Sequence, residues 1–119
     1  MSLFISNAFS VAMLNSTDTC VRFQEITLSK VKELIGGSFV SAVGHQATAD
    51  VIAMLTGVEV PVNRVSVSLK EGDQLVVFQL LSRLPEGVIL TAEEVQKIPH
   101  KWYLVTILPD YTLEAVYHW

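Results

Sequence analysis

The feature that most constrains the fold is a repeated switch in hydrophobic periodicity along the chain, because short runs typical of strands alternate with short runs at helical spacing. The strand-like runs are residues 3–5, 19–24, 39–43, 64–69, 74–81 and 102–108. The helix-like runs are residues 27–35, 46–55 and 91–98. Strands and helices in mixed order predict an α/β (α+β) domain with a mixed sheet of about five strands and short helices packed mainly on one face.

Several element ends carry specific sequence signals. Gly36-Gly37 and Gly57 follow the first two predicted helices and are typical helix stops. Thr91-Ala92-Glu93-Glu94 is a capping box that opens the third helix, and Pro99 ends it. Glu71-Gly72-Asp73 predicts a turn, so we expect the strands at 64–69 and 74–81 to form a β-hairpin.

Length and composition predict one domain over residues 1–119 that associates with a second copy. Half of the residues are hydrophobic and the mean hydropathy is +0.44, which indicates either a membrane segment or apolar surface buried in an oligomer. No run approaches the ~18–20 uninterrupted apolar residues of a spanning helix. No basic region precedes the N-terminal apolar stretch, so we expect neither a membrane protein nor a secretory signal. A homodimer is therefore expected.

Charge and cysteine content narrow the partners and the compartment. A net charge of −4 and a pI near 5.2 argue against binding to duplex nucleic acid but permit a small anionic ligand. Cys20 is the only cysteine, so no internal disulfide can form and a reducing cytoplasm is expected. His45, His100 and His118 are too far apart in sequence to suggest a metal site, and no cofactor is expected.

The segment Ala42-Val43-Gly44-His45 joins a strand-like run to a helix-like run and is the strongest candidate for a functional loop. We expect Gly44 to let the backbone turn sharply, leaving His45 at the mouth of the loop. Backbone N–H groups and the positive end of the helix then favour an anion. A histidine at this position can also donate or accept a proton near neutral pH.

Two further motifs carry arginines that can bind phosphate. In Ser82-Arg83-Leu84-Pro85-Glu86-Gly87, the guanidinium of Arg83 can bind a phosphate and Glu86 can orient either that arginine or a ligand hydroxyl. A solvated surface ion pair is the alternative. For Asn63-Arg64 the alternative is a turn followed by a strand-edge arginine that contributes only to solubility.

Taken together, five motifs in order resemble the viral ring nuclease family, the anti-CRISPR enzymes directed at type III systems. The resemblance spans Leu3 to Lys97. Its motifs are Asn7-Ala8-Phe9-Ser10, Val43-Gly44-His45, Asn63-Arg64-Val65, Glu71-Gly72-Asp73 and Arg83-Leu84-x-Glu86-Gly87-x-x-Leu90.

This resemblance implies a homodimer that binds cyclic tetra-adenylate and cuts it into linear di-adenylates without a metal ion. It also implies roles for individual side chains. His45 is the implied general acid, with Glu86 as its polar helper and Ser10 as a ribose or phosphate contact in the catalytic group. The other implied ligand contacts are Asn7, Gly44, Arg64, Gln79 and Arg83.

The chain departs from the family pattern at three places, and two alternatives to a ring nuclease remain. Pro85 replaces a usual acidic residue, Ser82 replaces a glutamine, and Gln46-Ala47 replaces Asp-Ser after the histidine. If they disable chemistry, the protein is a sponge that binds the ring without cleaving it. The second alternative is a small regulatory or interaction protein of a mobile element.

Overall fold

A computed structural model describes residues 2–16, 18–83 and 91–109, which form five strands, three α-helices and a 3₁₀ helix at Val11–Met13. The strands are β1 (Leu3–Ser6), β2 (Val21–Ile26), β3 (Val40–Ser41), β4 (Gln74–Leu80) and β5 (His100–Ile107). The helices are α1 (Leu28–Ile35), α2 (Gln46–Thr56) and α3 (Ala92–Lys97).

The strands form one mixed sheet in the order β2-β5-β4-β1-β3. β1 pairs in parallel with both β3 and β4, whereas β5 pairs antiparallel with β4 and β2. The carboxyl ends of the three parallel strands therefore lie at the same edge of the sheet. This arrangement confirms the predicted mixed sheet of about five strands.

The helices cover one face of this sheet, as predicted. Their buried side chains, including Val31, Ile52 and Val95, pack with sheet residues such as Phe78 and Trp102 in one apolar core. The opposite face, which we call the helix-free face because no α-helix packs on it, has a smaller core without α-helical residues. It consists of Val67, Leu69, Leu75, Val77, Val105 and Ile107, with Phe4, Phe9, Met13, Leu14, Val21, Ala42 and Tyr103 packed against them.

The predicted helix boundaries follow from their local caps. The Thr27 hydroxyl accepts a hydrogen bond from the amide of Lys30 at the start of α1, at 3.2 Å. Gly57 ends α2 with a φ of 74°, in the left-handed region that glycine tolerates. Thr91 and Glu94 form both bonds of the predicted capping box.

The predicted hairpin is wrong. Residues 64–69 form no strand, and their one sheet-like contact is an isolated parallel bridge between Leu69 and Leu14. Instead, Val67 and Leu69 pack on the helix-free face as part of a connecting segment, which explains their apolar alternation. The following turn holds the buried carboxylate of Asp73, which accepts bonds from the amides of Ser2 and Lys70 at 2.9 and 3.0 Å. It therefore anchors the start of the chain.

Two predicted strands also differ in extent. The run at 39–43 contributes only the two residues of β3, and the run at 19–24 begins and ends two residues later, as β2. Across the described parts of the chain, no helix combines the length and apolar character that a bilayer crossing demands.

Candidate functional site

The candidate site lies along the sheet edge where β1, β3 and β4 end. Asn7 directly follows β1, and Gln79 is the second-to-last residue of β4. Gly44 and His45 come three and four residues after the end of β3. Since β1 is between β3 and β4, their three carboxyl ends are neighbours. In open sheets with parallel strands, ligands bind in the crevice outside these ends.

His45 is the N-cap residue of α2, with an extended backbone at φ −130° and ψ 131°. Its carbonyl accepts the bond from the amide of Ala49, at 3.0 Å, but its side chain makes no capping bond and the residue is exposed. The neighbouring Gln46 side chain donates to Asp50 at 2.8 Å, and thus faces along α2. The imidazole therefore lies at the positive end of an 11-residue helix without capping that helix.

Gly44 is bonded to two other predicted ligand contacts, Asn7 and Arg64. Its amide donates to Asn7 Oδ1 at 3.5 Å, and its carbonyl accepts a bond from Arg64 Nε at 2.8 Å. The structure therefore brings Asn7, Gly44, His45 and Arg64 into one cluster. The remaining four N–H donors of the Arg64 guanidinium can bind a phosphate oxygen.

Gly44 does not use the backbone freedom that is special to glycine, because the glycines with positive φ in the described parts of the chain are Gly57 and Gly72. A Cβ atom at Gly44 would lie 3.5 Å from Arg64 Cγ, an ordinary van der Waals contact. Neither backbone conformation nor local space thus requires a glycine here.

Asn63 and Ser41 position Arg64, and neither role was predicted from the sequence. The Asn63 side chain donates to the carbonyl of Ser41 at 2.7 Å, and its amide donates to the carbonyl of Val43 at 2.8 Å. Ser41, which is buried, donates from its hydroxyl to the carbonyl of Pro61 at 2.5 Å. The sequence signal for the role of Ser41 is its position within an apolar run, because a buried hydroxyl needs a hydrogen-bond partner.

Gln79 and Phe9 belong to a second part of the site, on the helix-free face. With Phe23, Val77 and Tyr103 they line an open pocket of about 270 Å³. The Gln79 side chain donates to the carbonyl of Leu80 at 3.0 Å and is exposed. Ser10 follows Phe9, and its hydroxyl accepts a bond from the amide of Ala12 at 3.2 Å, which caps the 3₁₀ helix.

The remaining predicted site residues lie beyond β4. Arg83 is exposed three residues after the end of this strand, and Ser82 precedes it. Glu86 and Pro85 lie outside the described residues.

Comparisons with known proteins identify relatives over most of the chain. The model of the family described as STIV B116-like matches residues 3–102. Protein 26 of Sulfolobus islandicus filamentous virus is 35% identical over 108 residues, covering 89% of this chain and 92% of that protein. YddF of Bacillus subtilis is 29% identical over 104 residues, covering 85% and 96% of the two chains.

The fold is shared with a solved viral structure. B116 of Sulfolobus turreted icosahedral virus superposes with a TM-score of 0.82 at 27% sequence identity, covering 89% of this chain and 99% of that one. The relatives therefore include proteins of archaeal viruses and of a bacterium.

Proposed function

The chain belongs to the STIV B116-like family, and from this membership and the geometry around His45 we propose that it is a ring nuclease. Its substrate is cyclic tetra-adenylate, which it cuts into linear di-adenylates without a metal ion, and this cleavage switches off type III CRISPR signalling. The substrate class comes from the resemblance of the five ordered motifs to viral ring nucleases. The geometry supports the proposal independently of that resemblance.

The observation that carries the proposal is the placement of a proton donor beside a cation. His45 is exposed at the first turn of α2, and the preceding residue, Gly44, is bonded to the side chain of Arg64. A phosphodiester bound by the free donors of Arg64 and the first amides of α2 would lie next to the imidazole. These are the groups that a phosphoryl transfer needs for charge stabilisation and proton transfer.

The reaction needs no nucleophile from the protein, because RNA carries one. The 2′-oxygen of a ribose attacks the adjacent phosphorus, and its proton passes to solvent. A bond forms between phosphorus and the 2′-oxygen while the bond to the 5′-oxygen breaks. His45 protonates the departing 5′-oxygen, leaving a cyclic 2′,3′-phosphate and a 5′-hydroxyl. Alignment of the attacking oxygen contributes several kcal/mol, and the histidine contributes roughly 10²–10⁴-fold.

The symmetry of the ligand fits a dimer with one shared site. A ring of four equal nucleotides has a two-fold axis that a C2 dimer can share, so two copies of His45 would face opposite phosphodiesters. Two cuts at these positions give two di-adenylates. Exposed apolar side chains at the same sheet edge support such an association: Val65 follows Arg64 and is 49% exposed, and Leu81 follows β4 and is 55% exposed.

The experiment is incubation of the pure protein with cyclic tetra-adenylate in EDTA, with products separated by chromatography and binding measured in parallel. Linear di-adenylates from the wild type, absent with His45→Ala, are the expected result. Tight retention of an intact ring would make the protein a sponge. Failure to bind the ring would contradict both and leave an interaction protein.

A further inference from the structure

The pocket between the 3₁₀ loop and the helix-free face of the sheet has a composition unlike that of the His45 cluster. Three of its five lining side chains are aromatic, namely Phe9, Phe23 and Tyr103, and none of the five described ones carries a charge. At about 270 Å³ the pocket is just below the size range of about 300–1,000 Å³ for sites of small molecules. It therefore fits one flat group better than an entire ligand.

We propose that this pocket binds one adenine base of the ring, with Phe23 as the stacking surface and Gln79 as the group that recognises adenine. The inference rests on the proposed function, since it assigns a base-binding subsite to the same ligand. The proposal also gives a role to Phe23 on β2 and Tyr103 on β5, two residues to which the motif resemblance assigns no function.

The position of the pocket supports this assignment. Phe9 is two residues from Asn7, which is bonded to Gly44 in the His45 cluster, so the pocket and the cluster share one loop. Gln79 lies two residues after Val77, the partner of Ser6 in the pairing of β1 with β4, and on the same face of the sheet. The loop at residues 7–9 therefore joins the Gly44–Arg64 cluster, which would bind phosphate, to the pocket that would bind the base.

The distribution of charge also indicates which part of the ligand binds at the His45 cluster and which part binds in the pocket. Arg64 supplies a cation for phosphate, whereas the pocket presents neutral aromatic rings that suit an uncharged base. On the strands beside it, Lys101 and Glu25 pair with each other at 3.7 Å and so offset one another. An anionic group would gain little in this pocket.

The aromatic rings have a geometry that can hold a base. Phe9 and Phe23 meet edge to face, with centroids 5.3 Å apart and an interplanar angle of 84°. This contact helps to hold the Phe23 ring in place. Phe23 is still 57% exposed, so it presents apolar surface to solvent. Stacking of a base would cover this surface.

Gln79 can provide selectivity. Its amide offers one donor group and one acceptor, which match the adjacent acceptor N7 and donor N6 of adenine. Hypoxanthine carries an oxygen acceptor at position 6, which cannot donate to the amide oxygen. Gln79 need only exchange its exposed bond to Leu80 for the base.

The test measures binding of cyclic tetra-adenylate by calorimetry in a His45→Ala background, which prevents turnover. Phe23→Ala should raise Kd about 5- to 150-fold, the range that stacking of one base represents. Met54→Ala, which removes an apolar side chain of 44% exposure from α2, is the matched control and should change Kd less than two-fold. Replacing the four adenines by hypoxanthine should weaken binding to the wild type, and Gln79→Ala should reduce that discrimination.

Several outcomes would overturn the inference. An unchanged Kd for Phe23→Ala would reject the adenine subsite but would not contradict the proposed ring nuclease activity. Conversion of a dimer into monomers by Phe23→Ala would assign the surface to a subunit contact. Adenosine monophosphate as a probe distinguishes the two proposals. If it shifts the NMR signals of the Phe9, Phe23 and Tyr103 side chains while the protein does not bind cyclic tetra-adenylate, the adenine pocket is retained and the nuclease is rejected. Binding of neither probe would reject both.

Discussion

Arg64 Nε donates a hydrogen bond of 2.8 Å to the carbonyl oxygen of Gly44, the residue that precedes His45. The two residues are 20 positions apart in sequence. This bond fixes the guanidinium plane against the loop, so the terminal N–H groups remain for a ligand. Arg64 thus contributes through its geometry in addition to its charge.

Arg64→Lys should therefore weaken binding of cyclic tetra-adenylate by about 1.5–3 kcal/mol, the range for a hydrogen bond with a charged group. Lysine retains the charge but cannot bond to Gly44 and present a forked pair of donors at once. Calorimetry of this variant beside Arg22→Lys, a change on the exposed part of β2, measures the effect. Equal affinity of the two variants would show that charge alone matters at position 64.

Gly44→Ala and Gly57→Ala should differ in stability. Gly44 has no positive φ and its Cβ would meet Arg64 at ordinary contact distance, so we expect a change within about 0.5 kcal/mol. Gly57 has a φ of 74° with open space around it, so strain of the left-handed backbone alone should cost about 1–2 kcal/mol. Urea unfolding of the two variants measures both. Comparable losses would contradict the backbone geometry at Gly44.

His45→Asn should separate stability from catalysis. His45 makes no side-chain capping bond, whereas asparagine is among the best N-cap residues, so the free energy of unfolding should rise by about 0.5–2 kcal/mol. Cleavage should fall by at least ~10², because asparagine cannot act as the general acid. Thermal unfolding and single-turnover cleavage measure the two effects.

His45→Ala is the control, since it removes the imidazole without adding a cap. It should slow cleavage equally, leave ring binding nearly intact and alter stability little. Wild-type turnover in either variant would reject His45 as the general acid.

The helices could be predicted from the sequence because their signals are local. Thr27, Gly57 and the Thr91–Glu94 box act within one helical turn, and the structure confirms each of them. The hairpin could not be judged in the same way. Apolar alternation at 64–69 indicates a surface that is buried on one side, but packing of a connecting segment on the sheet produces that pattern as well as strand pairing does.

The candidate site depended on contacts that no local pattern contains. Asn63 bonds to a carbonyl 22 residues away, and this bond helps to place Arg64. The aromatic pocket requires the strand order β2-β5-β4-β1, because only that order places Phe23, Tyr103 and Gln79 on adjacent strands. The motifs predicted which residues matter, but their spatial grouping required the sheet topology.

The protein should be a dimer at micromolar concentration. Its mean hydropathy is +0.44, and exposed apolar side chains such as Val65 and Leu81 lie at the edge that carries the candidate site. Light scattering should give twice the chain mass of 13.2 kDa. The charged variants Val65→Lys and Leu81→Lys should reduce this mass, with Met54→Lys on α2 as the control. A wild-type mass of 13.2 kDa would reject the dimer and the shared two-fold site.

Arg83 provides a test of direct contact against general electrostatics. A ring of four phosphodiesters carries about four negative charges, and a protein of net charge −4 must attract it with locally placed cations. Arg83 lies three residues beyond the carboxyl end of β4, whereas Arg22, also exposed, lies on the edge strand β2, two strands from β4 and three from β1, the strand that precedes Asn7.

Arg83→Ala should therefore weaken ring binding by about 1.5–3 kcal/mol, whereas Arg22→Ala should change it little. Calorimetry at about 0.1 M and about 1 M salt sharpens the comparison, because the screening length falls from roughly 10 Å to 3 Å. A loss at Arg83 that persists at high salt indicates a hydrogen-bonded phosphate. Equal losses for the two variants that both disappear at high salt would show that Arg83 contributes only net charge and does not contact the ring.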